Sequence, residues 1–120
     1  MAERTVLFME RLKVIVKALD DKRATDIDVL DISKLTSLGD YFIICTCSSG
    51  VQVRAASDEA EEKSKENGFP PKHIEGYRGG NWILMDFGDI IVHIMERETR
   101  EFYSLERLWD DAEKIEINIE

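Results

Sequence analysis

The sequence predicts an α/β domain in which a mixed sheet of five strands carries helices mainly on one face, in the order α-β-β-α-β-β-β-α. Three observations support this. Apolar residues recur with helical spacing near both ends and in the middle of the chain. Short runs rich in branched residues lie between those segments. Within residues 81–95, two such runs flank Gly88-Asp89, a pair that suits a type II′ hairpin turn.

Strand alternation sorts the side chains of this hairpin into two faces. With Gly88 and Asp89 as the central turn residues, Trp82 lies opposite Met95. One face is wholly apolar and is predicted to be core: Ile83, Met85, Phe87, Ile90, Val92 and Ile94. The other face is mixed: Trp82, Leu84, Asp86, Ile91, His93 and Met95. It is too apolar for plain exposure and too polar for an ordinary interior, which is typical of a protein-binding surface.

The chain before the hairpin is predicted to form two helices and two strands. A first helix covers about residues 4–22, and its broad apolar stripe suits either the core or a second chain. A strand carrying Ile27 and Val29 follows. Residues 41–47 form a strand that is apolar on both faces and therefore central. A second helix covers about residues 51–67, with a serine N-cap and Gly68 as its stop.

A short strand over residues 72–77 precedes the hairpin, and a last helix follows it. That helix is predicted to carry Phe102, Leu105, Trp109 and Ala112 on one face. Residues 113–120 alternate with period two and are predicted to form an edge strand or a tail that orders against a partner.

Length and charge narrow the class of protein. The 120 residues, 43% of them hydrophobic, suit a single domain over residues 1–120. A net charge of −9 disfavours direct nucleic-acid binding and favours a basic partner, although it also suits plain solubility. Cys45 and Cys47 are expected to be buried, reduced thiols on one sheet face. With neither a signal peptide nor a membrane-spanning run in evidence, we expect a cytoplasmic protein.

Candidate catalytic and metal sites are weakly supported. Asp26 and Asp28 have the spacing that a Mg²⁺-dependent nucleotidyltransferase would use, but no glycine-rich phosphate loop accompanies them, and a solvated strand face is the simpler explanation. His93 and Asp86 share a face, yet no nucleophile motif lies nearby. We therefore predict no catalytic residue, no metal site and no cofactor.

Five stretches of the chain resemble the ribosomal silencing factor family, also called the Iojap family. The stretches are D-K-R-A-T-D-I-D-V-L-D (21–31), L-T-S-L-G-D-Y-F-I-I-C (35–45), E-G (75–76), W-I-L-M-D-F-G-D-I-I-V-H-I-M (82–95) and R-E-F-Y-S-L-E-R-L-W (100–109). The resemblance implies a nucleotidyltransferase-like fold without the catalytic set, which makes Asp26 and Asp28 a strand feature.

The resemblance also implies a function. Such a factor docks on the fourteenth protein of the large ribosomal subunit, blocks joining of the small subunit and lowers translation when nutrients are short. Free members often form homodimers. The docking surface of the family corresponds here to Trp82 and Phe87, and Asp86, Asp89, His93 and Met95 belong to the same motif. Phe87 is core by strand parity, and a bulge at the turn would reconcile the two assignments.

Overall fold

The computed structural model describes residues 2–37 and 39–119, without the side chains of residues 2–7, 106 and 108. Within these residues the elements are α1 (Ala2–Asp21), β1 (Thr25–Asp31), β2 (Tyr41–Cys47), α2 (Gly50–Glu66), β3 (His73–Glu75), β4 (Trp82–Asp86), β5 (Ile90–Glu96), α3 (Arg97–Tyr103), α4 (Leu105–Leu108) and β6 (Glu113–Ile115). The predicted order is confirmed, except that the last helix is divided and the sheet has a sixth strand. Residues 1, 38 and 120 of the predicted domain lie outside the described residues.

The six strands form one mixed sheet in the order β3-β4-β5-β2-β1-β6. β2 and β5 pair in parallel at its centre, and every other neighbouring pair is antiparallel. Residues 42–47 of β2 are buried, which confirms the central strand predicted from its apolar faces. The parallel pairing requires the chain to cross over between β2 and β5, and α2, β3 and β4 make that connection.

The β4–β5 hairpin has the predicted register. Trp82 lies opposite Met95, and the Phe87 N–H donates to the Ile90 carbonyl at 2.9 Å. Gly88 has φ +95°, the positive value that the first central residue of a type II′ turn requires. The strand pairing runs without a register shift from Trp82 to Asp86. The bulge invoked to turn Phe87 outward is therefore wrong, because the regular pleat directs that side chain to the core.

α1 and α2 cover one face of the sheet. Leu12, Ile15 and Leu19 of α1 are fully buried, so this part of the stripe packs against its own chain, and a role of the stripe towards a second chain stays a prediction. The small residues of α2 bring this helix close to the sheet. Ser49 caps α2, since its hydroxyl accepts the Gln52 N–H at 3.2 Å. At the other end, Gly68 follows the helix with φ +84°.

The apolar residues of the hairpin that were predicted to be core all face these two helices. Ile83, Met85, Ile90, Val92 and Ile94 are fully buried and Phe87 is 6% exposed. Cys45 and Cys47 are buried free thiols in the same layer, as predicted. The parity of the strands thus identified the larger of the two cores.

A second, smaller core lies on the opposite face of the sheet, beneath the chain segment that contains α4. Its buried members are Leu30, Ile32, Phe42, Ile44, Ile91, Met95 and Leu105. Trp109 and Ala112 pack partly against it, as predicted for the last helix. The mixed face of the hairpin is therefore partly covered by this chain itself, while the two long helices occupy the other side.

The last helix is not continuous. Ser104 adopts a left-handed conformation (φ 47°, ψ 55°), ends α3 and starts a new turn at Leu105. The placement of Phe102 on the buried face of one helix is therefore wrong, and Phe102 is 80% exposed. Further along, β6 pairs with β1, which confirms an edge strand for residues 113–115.

Candidate functional site

Trp82 begins β4 and lies on the sheet face opposite the two long helices, where its side chain is half-buried. Its indole Nε1–H donates to Nδ1 of His93 at 3.1 Å. Because an indole has this single polar group, the hydrogen bond leaves Trp82 with no polar atom to offer a partner. The exposed remainder of the ring is a purely aromatic surface.

His93 supports Trp82 from the interior. Its side chain is 5% exposed, and desolvation by burial lowers its pKa to about 4. Since Nδ1 accepts the indole hydrogen, the proton of the neutral ring lies on Nε2. That atom has no hydrogen-bond partner within the described part of the chain. The imidazole and the Phe42 ring pack at a steep angle, with 4.9 Å between their centroids.

α3 places two further aromatic side chains beside Trp82. The ring centroids of Trp82 and Tyr103 are 4.9 Å apart, and those of Tyr103 and Phe102 are 5.0 Å apart. Tyr103 is 53% exposed. We call Trp82, Tyr103 and Phe102 the aromatic row. Beside it, Glu75, Gly76, Trp82 and Leu84 line a shallow hollow in the sheet surface.

The two aspartates predicted to contact a partner are engaged within the chain. The Asp86 carboxylate accepts the Gly88 N–H at 2.7 Å and so shapes the hairpin turn. Asp89 forms an ion pair with Arg11 of α1 at 2.8 Å. Both carboxylates remain partly exposed, so a basic partner can approach them, but each already has a structural role.

The other three predicted contact residues lie in the interior. Phe87 packs against Phe69 on the helix side, with ring centroids 5.8 Å apart. His93 and Met95 lie beneath the segment that covers the second core, and Met95 is fully buried. In this conformation they support the surface from below rather than lining it. Their part in partner binding stays a prediction.

Sequence reasoning missed Phe102 and Tyr103 as surface residues. Neighbouring residues on a helix point about 100° apart, so two adjacent aromatic side chains cannot both face one narrow core. The pair Phe102-Tyr103 was therefore a signal that at least one ring is exposed. It was hidden by the assumption of a continuous helix.

Asp26 and Asp28 line a mixed-charge cleft of about 570 Å³ together with Thr46, Arg97, Arg100, Glu101, Ser104 and Lys114. Arg100 donates to the Asp28 carboxylate at 2.7 Å, to the Thr46 hydroxyl at 2.9 Å and to the Asp26 carbonyl at 2.5 Å. The Asp28 carboxylate is therefore already paired with a guanidinium. Among the described residues, no group of three or more metal-ligating side chains is assembled.

The fold and the site define an α/β domain with a partly exposed row of aromatic side chains on an acidic chain. Residues 7–120 match the family model described as "Ribosomal silencing factor during starvation". The ribosomal silencing factor of Bacillus subtilis is 43% identical over 101 residues, which cover 84% of this chain and 86% of that protein. The chain therefore belongs to the ribosomal silencing factor family, as its sequence stretches predicted.

Two further relatives extend this comparison. A crystal structure of a protein from Chromobacterium violaceum superposes with a TM-score of 0.82 at 38% identity, covering 92% of each chain. The chloroplastic protein Iojap of Zea mays is 35% identical over 103 residues, which cover 86% of this chain and 45% of that protein. The fold is thus that of a solved relative. No helix in the described part of the chain has the length and apolar content that crossing a bilayer requires.

Proposed function

We propose that this protein binds the fourteenth protein of the large ribosomal subunit at the face that the small subunit would contact. Bound there, it sterically blocks subunit joining and represses translation when nutrients are limiting. Membership of a family described as acting during starvation supports this role. We infer that it meets these subunits in the cytoplasm.

The observation that carries the proposal is the half-buried ring of Trp82, part of which faces solvent. Tryptophan is enriched among the residues that dominate binding energy at protein interfaces, especially where the ring is held rigidly. Here the hydrogen bond to His93 and the contact with Tyr103 hold the indole from two sides. The anchor is thus already ordered before a partner arrives, which reduces the entropy lost on binding.

The charge of the chain selects the kind of partner. At −9 the protein is repelled by the phosphates of rRNA, whereas a basic ribosomal protein offers complementary potential. Asp86, partly exposed at the hairpin turn, adds negative charge there, whereas the charge of Asp89 is paired with Arg11. Recognition is therefore directed to protein, with no specificity for nucleic acid.

Steric blocking requires no catalytic group, so we infer that the protein is not an enzyme. We also infer that its fold is nucleotidyltransferase-like. The rival role of Asp26 and Asp28 in a Mg²⁺ site is disfavoured by the ion pair between Arg100 and Asp28. We also infer that the free protein forms a homodimer, because a partly apolar surface left bare favours self-association. Sedimentation of the free protein over a range of concentrations measures this directly.

The test is co-sedimentation of the purified protein with purified large ribosomal subunits through a sucrose cushion. We expect the unaltered chain to pellet with the subunits, and Trp82→Ala, shown to be folded by circular dichroism, to bind at least about tenfold more weakly. Val51→Ala is the matched control, since Val51 is apolar, 73% exposed and on α2 at the other side of the sheet. Equal binding by Trp82→Ala would remove this surface from the proposal.

A second measurement addresses the block itself. Small subunits are added to large subunits that carry the bound protein, and the fraction of joined ribosomes is read from a density gradient. We expect joining to fall in proportion to occupancy. Normal joining at full occupancy would contradict steric blocking while leaving binding intact.

A further inference from the structure

We propose that the docking surface continues from β4 onto α3, where the rings of Phe102 and Tyr103 receive lysine or arginine side chains of the basic partner. This inference rests on the proposed function, since it concerns the same partner. It assigns a binding role to a helix that the hairpin motif does not include.

The exposure of the aromatic row is the first step of the argument. Phe102 is 80% exposed and Tyr103 is 53% exposed, although each could be replaced by a polar residue without loss to either core. With Trp82 they form three rings in successive contact, at 4.9 Å and 5.0 Å. Scattered exposed apolar residues are ordinary, but a contiguous group on a surface marks an interaction site.

The backbone of α3 holds the row in place. The left-handed Ser104 ends the helix directly after Tyr103, and the next residue, Leu105, is buried in the second core. About one turn earlier in α3, the Arg100 side chain donates three hydrogen bonds to residues of β1 and β2. Fixed by Leu105 and Arg100, the helix presents the two rings outward as a rigid surface rather than as a mobile loop.

The orientation of α3 separates its cations from its aromatic rings. Arg97, Arg100 and Glu101 line the mixed-charge cleft, so they lie on one side of the helix. Phe102 lies about 100° from Glu101 and about 140° from Arg97, which turns it away from that side. Tyr103 lies only about 60° from Arg100, but the Arg100 guanidinium is held by β1 and β2. The cations of α3 are therefore directed to the cleft, and the exposed ring faces are open to a cation from outside.

Negative charge flanks both ends of the row and determines the chemistry of the occupant. Glu98 is exposed and lies one turn before Phe102, the spacing at which helical side chains are neighbours. Glu75 is exposed and lines the hollow beside Trp82. A lysine or arginine placed over the rings would gain both the cation–π attraction and these carboxylates. The charge of −9 on this chain matches a basic occupant better than a second acidic copy of the same chain.

The experiment compares binding to large ribosomal subunits for Phe102→Ala, Phe102→Leu, Tyr103→Leu and the unaltered chain, with Val51→Ala as control. Because Phe102 is mostly exposed, its replacement leaves folding intact. We expect Phe102→Ala to weaken binding about fivefold to tenfold. Phe102→Leu, which keeps the apolar area and removes the aromatic ring, is expected to weaken it about threefold to fivefold.

The outcomes separate this inference from the proposal on which it rests. If Trp82→Ala loses binding while both Phe102 variants and Tyr103→Leu bind normally, the inference is wrong and the proposed function stands. If Phe102→Leu matches the unaltered chain while Phe102→Ala does not, the row is a plain apolar contact and cation recognition is refuted. A loss of self-association without loss of subunit binding would assign the row to a dimer. If the unaltered chain does not bind subunits, both proposals fail.

Discussion

Acidification should unfold this protein partly through one buried side chain, His93. Burial lowers its pKa to about 4 in the folded state, against about 6.5 in an unfolded chain. Between pH 6.5 and about pH 4, His93 is therefore mostly protonated in the unfolded chain and mostly neutral in the folded chain. The stabilising contribution is fully present above pH 6.5 and is lost progressively as the pH falls towards 4.

The size of the effect follows from the two pKa values. A difference of about 2.5 units corresponds to about 3 kcal/mol once the pH lies below both values. Between pH 7 and pH 4.5, where most of the change takes place, the loss amounts to about 2.5 kcal/mol. For a domain whose total stability is about 5–15 kcal/mol, this is a large share.

The assay is urea unfolding followed by far-ultraviolet circular dichroism at several pH values from 7 to 4.5, for the unaltered chain and for His93→Asn. Asparagine keeps an acceptor near the position of Nδ1 and does not titrate, so its hydrogen bond to Trp82 can persist. All other titrating groups are common to both proteins, and subtraction isolates His93. If the free energy of unfolding falls equally with pH in both proteins, the reasoning is refuted, because protonation of His93 would then make no difference to stability.

Two further changes test how the site is held. Gly76→Ala would place a methyl group 2.2 Å from the Trp82 carbonyl at φ +83°, so we expect a loss of at least about 2 kcal/mol and a displaced start of β4. Gly68→Ala, with φ +84° and open space around it, should lower the free energy of unfolding by only about 1 kcal/mol. Equal losses for the two glycine variants in urea unfolding would show that the contact with the Trp82 carbonyl costs nothing. Arg100→Leu removes three hydrogen bonds from a side chain that is 11% exposed and should lose about 2 kcal/mol. Lys17→Ala, which breaks an exposed ion pair, should lower the free energy of unfolding by under about 0.5 kcal/mol. A similar loss in Arg100→Leu and Lys17→Ala would show that Arg100 does not hold α3.

The elements that could be predicted from the sequence are those whose pattern is local. Alternation over residues 82–95 placed each hairpin side chain on its observed face, because a strand has a period of two and the Gly88 turn fixes the register. The N-cap of α2 at Ser49 and its end at Gly68 could also be predicted, since each depends on a few neighbouring residues.

The parts that were missed depend on contacts between distant segments. Strand alternation placed Phe87 in the core, although the resemblance favoured it as a surface residue, but its contact with Phe69 of a distant segment could not be predicted from a local pattern. The ion pair of Asp89 with Arg11 joins residues 78 positions apart. The break at Ser104 arises where a non-glycine residue adopts a left-handed conformation, which helical periodicity alone does not predict.

The parallel pairing of β2 with β5 has a consequence for the order in which the molecule is made. About forty residues separate these strands, and at roughly 5–20 residues per second their synthesis takes about two to eight seconds. During that interval the emerging chain holds β2 with one hydrogen-bonding edge open and apolar side chains on both faces. We therefore expect a newly made chain to be more prone to aggregation before β5 emerges than after it.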